Sequence, residues 1–193
     1  ALGSMVWPAA TVSHRKEIDE AMARVPTVIR ECRSAFLEIF GRDPGGAMEI
    51  FETDDADAIL VASATVATTA RGVVERRRAR GERVGLVTMR LFRPFPADAL
   101  RAACSPAGRI GVLDRDYAAG AGGIWAQDVR AAFQGRGDRM IQDYLLGVGG
   151  GDVTPDLIER IVDDLMARAD DDAPVWADLA ETWTTAPDAE VDA

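Results

Sequence analysis

Short apolar runs, each followed by a helical period, constrain this fold more than any other feature of the sequence. Ala58-Ile59-Leu60-Val61-Ala62, Val84-Gly85-Leu86-Val87-Thr88-Met89 and Ile110-Gly111-Val112-Leu113 are nearly continuous in apolar residues. Such runs suit strands buried on both faces, because a half-exposed strand would alternate. Met140 to Leu146 reads as a further strand with imperfect alternation, and Met48, Ile50 and Phe51 suggest a short one near the start. Between them lie helical patterns. One runs from Val66 to Arg80, with Ala67, Ala70, Val73 and Val74 inward. Pro96 opens another, with Leu100 and Ala103 inward. Ile124 to Phe133 places Trp125, Val129 and Phe133 on one side. Thr154 caps the last, with Pro155 in its first turn. Strand–helix alternation of this kind predicts an α/β fold in three layers. The expectation is a mostly parallel five-stranded sheet with helices on both faces and Met48–Phe51 antiparallel at one edge.

The flanks read differently. Ala1 to Ser4 resembles an expression scar, with natural sequence from about Met5, and residues 5–14 read as an extended arm containing Trp7 and Pro8. From Arg15, Ile18, Met22, Val25, Ile29, Cys32, Phe36 and Ile39 recur at steps of four and three, a single helical stripe. Pro26 interrupts it, predicting a kink or two successive helices. The division expected is an arm to residue 14, a helical appendage over 15–46, an α/β domain over 47–168 and an acidic tail over 169–193. In the tail, Trp176, Leu179 and Trp183 have the spacing of one short helix that docks on the body or on a partner, and the remainder reads as disordered.

Composition excludes several classes. The formal net charge is −10, against general binding to nucleic acid or to an anionic membrane surface. No apolar run approaches a membrane span, and the start lacks the pattern of a signal peptide. The two cysteines, Cys32 and Cys104, make neither a disulfide framework nor a metal-ligand spacing, so a reducing cytoplasm is expected. The lone histidine, His14, has no acid or nucleophile near it in sequence. Arg76, Arg77, Arg78, Arg80 and Arg83 oppose the negative end of a helix dipole, or else face an acidic or phosphate-bearing partner. Asp54, Asp55 and Asp57 lack the further oxygens and glycine of a calcium loop and read as a solvated turn.

Two glycine-rich turns remain. Gly120-Ala121-Gly122-Gly123 lies between a strand and a helix, and Gly147-Val148-Gly149-Gly150-Gly151 follows the last strand. Backbone donors at such turns can hold phosphate, which makes Gly122, Gly123, Gly149 and Gly150 candidate cofactor-binding positions. The same glycines serve equally for tight turns and close helix–sheet packing. The pattern is not the dinucleotide-binding fingerprint, and no phosphate-loop lysine follows. Asp114, Arg115 and Asp116 could carry chemistry or form an internal ion pair. There is no Ser/His/Asp motif, no iron–sulfur cysteine run and no Gly-Asp-Gly segment for thiamine diphosphate, so no catalytic or metal-binding residue is assigned. These residues alone support a binding or assembly domain and no named reaction.

Taken together and in order, Asp55-Ala56-Asp57, Arg80-Gly81-Glu82-Arg83-Val84-Gly85, Leu91-Phe92-Arg93-Pro94-Phe95-Pro96, Leu113-Asp114-Arg115-Asp116, Gly120-Ala121-Gly122-Gly123 and Gly147-Val148-Gly149-Gly150 resemble the pyruvate/2-oxoacid:ferredoxin oxidoreductases. The likeness is to the transketolase C-terminal-like domain of the alpha subunit, from about Arg15 to Met166. It implies an oligomeric complex that decarboxylates a 2-oxoacid on thiamine diphosphate and Mg²⁺. Electrons would pass through iron–sulfur clusters to ferredoxin, and the acyl group to coenzyme A. This chain would be a non-catalytic domain or small subunit that positions catalytic partners, binding none of those cofactors alone. The alternative is a stand-alone module for a phosphate-bearing ligand such as coenzyme A. Three features depart from the family pattern: Ala64-Thr65 stands where Gly-Ser is usual, Gly151 stands where Gly-Gly-Arg-Asp has its arginine, and Pro26 is expected to break the leading helix.

Overall fold

The computed structural model describes residues 6–171 and 173–183. Its chain divides into two compact units, residues 1–47 with 91–96, and residues 48–90 with 97–193. The first contains one long helix, α1 (Pro8–Phe40), with Trp7 as its extended N-cap and Pro8 in the first turn. This corrects the extended arm expected over residues 5–14. A first-turn proline gives up no intrahelical bond, so it can start a helix where no apolar period announces one. The helix also runs unbroken through Pro26, so the two-helix alternative fails. Pro26 is exposed, which leaves the carbonyl it cannot satisfy within reach of water. No residue of α1 is buried; Ile18, Val28, Leu37, Ile39 and Phe40 are exposed. Gly41 ends the helix in the left-handed conformation, its N–H donating to the Leu37 carbonyl at 2.9 Å.

The second unit is the α/β body. Its elements are β1 (Met48–Phe51), β2 (Ala58–Ser63), α2 (Ala64–Ala79), β3 (Val84–Met89), α3 (Ala97–Ala103), β4 (Arg109–Asp114), β5 (Tyr117–Ala118), β6 (Gly122–Gly123), α4 (Ile124–Phe133), β7 (Met140–Leu145), α5 (Pro155–Ala167) and β8 (Val175–Trp176). The main sheet has six strands in the order β1-β3-β2-β4-β7-β8. β1 is antiparallel to β3 at one edge, as the sequence led us to expect, and the other pairings are parallel. The sixth strand corrects the five-stranded expectation. It comes from the tail: Val175 pairs with Tyr144, and Ala177 N–H donates to the Leu145 carbonyl at 2.8 Å. The predicted Trp176–Trp183 helix is thus a two-residue strand followed by a single 3-10 turn, Ala180–Trp183. Trp183 packs against the core, and its indole N–H donates to the Ala177 carbonyl at 2.9 Å. The expectation of a disordered remainder falls on residues outside those described.

The core joins β2, β3 and β4 to α2 and α5 through Leu60, Leu86, Leu113, Ile158, Ile161 and Leu165, all at or near zero exposure. Arg77 is buried where α2 meets α5. It donates to Glu82 at 2.9 Å and Asp163 at 2.6 Å, and also to Glu159. Arg76 and Arg80 also reach Glu159, Arg78 reaches Asp55, and Arg83 clasps Asp57. The arginine cluster and the acidic turn are therefore largely partners of residues within the chain. Cys104 is buried, which pushes its thiol up to about 12, while Cys32 is exposed. No helix among the described residues is long and apolar enough to cross a membrane.

Candidate functional site at the carboxyl edge

In an open parallel sheet, ligand sites form outside the carboxyl ends of the strands where the order reverses. Here the chain passes from β2 to β3 on one side, then crosses back to β4 on the other. The reversal lies between β2 and β4, whose carboxyl ends carry Ser63-Ala64-Thr65 and Asp114-Arg115. Ala64 opens α2 with a φ of 49°, a left-handed conformation that costs an L-residue about 1 kcal/mol or more. That strained alanine stands where the family pattern has glycine. Thr65 follows it, exposed.

Arg115 spans the crevice. Its Nε and Nη2 donate to the Gly147 carbonyl at 3.2 and 3.1 Å, and Nη2 reaches the Gly151 carbonyl at 3.4 Å. Nη1 lies 3.5 Å from Thr65 Oγ1. The side chain thus ties the ends of β2 and β4 to the turn after β7. It does not pair with Asp114 or Asp116 in the way the internal ion-pair reading anticipated. Beside it, a cleft of about 450 Å³ is lined by Glu49, Thr65, Thr68, Arg71, Thr88 and Arg90. Glu49 lies between Arg71 and Arg90, at 2.6 and 2.5 Å, so these guanidinium groups already share an anion.

The candidate glycines separate into two pairs. Gly149 and Gly150 are exposed at the tip of the 3-10 turn Val148–Gly150, with φ of 69° and 95° and open space where a side chain would go. Val148 N–H donates to Asp178 Oδ2 at 3.2 Å, and Gly150 N–H to the Gly147 carbonyl at 3.2 Å. Gly122 and Gly123 are buried. They form β6, which pairs antiparallel with β5 in a small hairpin. Gly123 N–H donates to Asp143 Oδ2 at 2.7 Å, while Trp125 and Ala126 N–H donate to Asp114 Oδ2 at 2.6 and 3.2 Å. The N-terminus of α4 therefore already holds an anion, the carboxylate of Asp114. Burial is the largest influence on Asp114, pushing its carboxyl up to about 6 against those donors. Burial raises Asp143 too.

Reasoning from sequence did not single out Asp143. Its signal was present: a carboxylate next to Gln142 in a predicted strand that is otherwise apolar from Ile141 to Leu146, at a position fully buried in the fold. His14 lies exposed on α1.

Comparison with known proteins gives a consistent result. Residues 56–158 match the pyruvate:ferredoxin oxidoreductase core domain II family. The chain is 35% identical over 162 residues to pyruvate synthase subunit PorA of Methanothermobacter thermautotrophicus, covering 84% of this chain and 41% of that protein. It is 32% identical over 166 residues to ketoisovalerate oxidoreductase subunit VorA of Pyrococcus abyssi, covering 86% of this chain and 42% of that protein. The chain thus spans less than half the length of these relatives. A solved 2-oxoglutarate:ferredoxin oxidoreductase from Magnetococcus marinus, with 2-oxoglutarate, coenzyme A and succinyl-CoA bound, shares the fold. The TM-score is 0.53 at 17% identity, covering 84% of this chain and 24% of that one.

Proposed function

The chain belongs to the pyruvate:ferredoxin oxidoreductase core domain II family, and from that premise we propose that it is the supporting domain or small subunit of a 2-oxoacid:ferredoxin oxidoreductase. Its task is to hold catalytic partners in place. Thiamine diphosphate with Mg²⁺, and the iron–sulfur clusters, would be held by those partners, in an oligomeric assembly in the cytoplasm. One observation carries this reading: the match covers β2 to β7 and reaches into α5, almost the whole body, yet amounts to less than half of PorA or VorA. The exposed apolar positions of α1 and the Tyr117–Trp176 ring pair, with centroids 4.8 Å apart, are the contact surfaces we assign to partners. The test is size-exclusion chromatography of the chain mixed with a thiamine-dependent subunit from the same source. Co-elution that weakens with Ile39→Asp or Trp176→Asp supports the assignment. Separate elution of the two proteins at micromolar concentration overturns it.

A second reading has its own observation. Gly149 and Gly150 are exposed, in open space, at the turn that Arg115 anchors beside the strand-order reversal. There we place a contact for a phosphate-bearing ligand such as coenzyme A, checked by calorimetry. Binding abolished by Gly150→Val favours this reading; heats at the dilution baseline refute it.

A further inference from the structure

Beneath the Gly120–Gly123 turn two carboxylates are buried with little to balance them. Asp114 ends β4 and Asp143 lies within β7, and each has 0% exposure. Val112 pairs with Asp143, so Asp114, two residues on, faces the same side of the sheet. A carbon added to Gly123 would lie 2.5 Å from Asp114 Oδ2 and 2.6 Å from Asp143 Oδ1. The two groups therefore converge on one backbone point. Backbone N–H groups serve the Oδ2 atoms, whereas Oδ1 of each residue is buried without a hydrogen-bond partner.

Few charges face the pair. On α4, Arg130 acts on Asp143, but its Nη2 donates to the Ile141 carbonyl at 3.1 Å. Past the end of β4, Arg115 is turned to Gly147 and Gly151, and the Asp116 carboxylate accepts from Tyr117 N–H at 2.9 Å. Residues 117–123 of the hairpin and Ala173–Pro174 of the tail bring no charged side chain. Two adjacent carboxylates away from water disfavour double ionisation, because each pays for desolvation and repels the other.

We propose that Asp114 and Asp143 hold a single proton between them at mildly acidic pH, and that this proton latches the Tyr117–Gly123 hairpin and the tail strand β8 onto the carboxyl edge of the sheet. The tail belongs to the latch because Pro174 Cγ lies 3.0 Å from where a Gly122 Cβ would stand, and because Tyr117 of β5 contacts Trp176 of β8. Losing the proton sets two negative charges under the hairpin, and the hairpin with its aromatic pair is released.

The folded state binds this proton more tightly than the unfolded chain does. Its stabilising effect is therefore fully present below the ordinary carboxyl value of 3.8 and is lost as pH rises toward about 6. A displacement of that size corresponds to a roughly hundredfold change in the unfolding equilibrium.

The test compares thermal unfolding of the full chain and Asp143→Asn between about pH 5 and pH 8. The protein is acidic, so both lose stability with rising pH through general repulsion, and the difference in slope is decisive. The proposal predicts a steeper fall for wild type, with Asp143→Asn the more stable at the alkaline end. Parallel profiles overturn it. Asp114→Asn provides a second variant, since its amide oxygen still accepts the Trp125 and Ala126 N–H groups while its NH₂ can serve Asp143; the same flattening is expected. Carboxyl ¹³C titration of the wild type needs no variant. One aspartate with a midpoint above about pH 5 is expected, and none titrating above about pH 4.5 overturns the shared proton.

Discussion

Two glycine-rich turns at the same edge of the same sheet have opposite surroundings. Gly120–Gly123 is pressed onto buried carboxylates, and its neighbouring helix terminus is filled by one of them. Gly147–Gly151 curls around an arginine and leaves Gly149 and Gly150 to solvent. The glycines of each are similar in sequence. What distinguishes the turns is the side chain underneath: at Gly120–Gly123 an anion takes backbone N–H donors, while at Gly147–Gly151 a cation takes the Gly147 and Gly151 carbonyls and the Val148 and Gly150 N–H groups donate to Asp178 and to the Gly147 carbonyl. Glycine content alone therefore does not identify a phosphate site; the occupancy of its donors does.

Substitutions at the two turns should separate these roles. Gly123→Ala has the largest expected effect, about 3 kcal/mol of lost stability by chemical denaturation, because its methyl would meet both carboxylates. A loss under about 0.5 kcal/mol would mean the closed turn is not closed. Arg115→Ala should cost about 1.5 kcal/mol and speed amide exchange at Gly149 and Gly150 while leaving Gly123 protected. Equal acceleration at both turns would erase the distinction. Gly150→Ala meets open space and should cost only about 1 kcal/mol, from its φ of 95°. The smallest change is a gain: Ala64→Gly relieves a left-handed alanine at a net of about 0.5 kcal/mol after glycine's added chain entropy.

Much of the body was legible because its signals are local and redundant. Ile124–Phe133 has both a period and a preceding glycine turn, and its expected limits are those observed. The buried runs at Ala58, Val84 and Ile110 became parallel strands because only a doubly covered sheet hides such sequences. The failures have non-local causes. β8 is two residues long and exists through its pairing with Tyr144 and Leu145, which no local pattern encodes. α1 begins at a proline with no apolar period behind it, and it survives Pro26 because that position is exposed. At the candidate site, Gly122, Gly123, Gly149 and Gly150 were visible as glycines. Their division into a filled pair and an open pair depends on Asp143 and Arg115, brought to them from 20 and 32 residues away.

The central claim is that this chain positions chemistry carried out by others. It is tested most directly by dye-linked oxidation of pyruvate and of a branched-chain 2-oxoacid, with coenzyme A, thiamine diphosphate and Mg²⁺ supplied. The account predicts no turnover by the purified chain alone and turnover when the chain is combined with its thiamine-dependent partner. Turnover by the chain alone, dependent on added thiamine diphosphate, would contradict it.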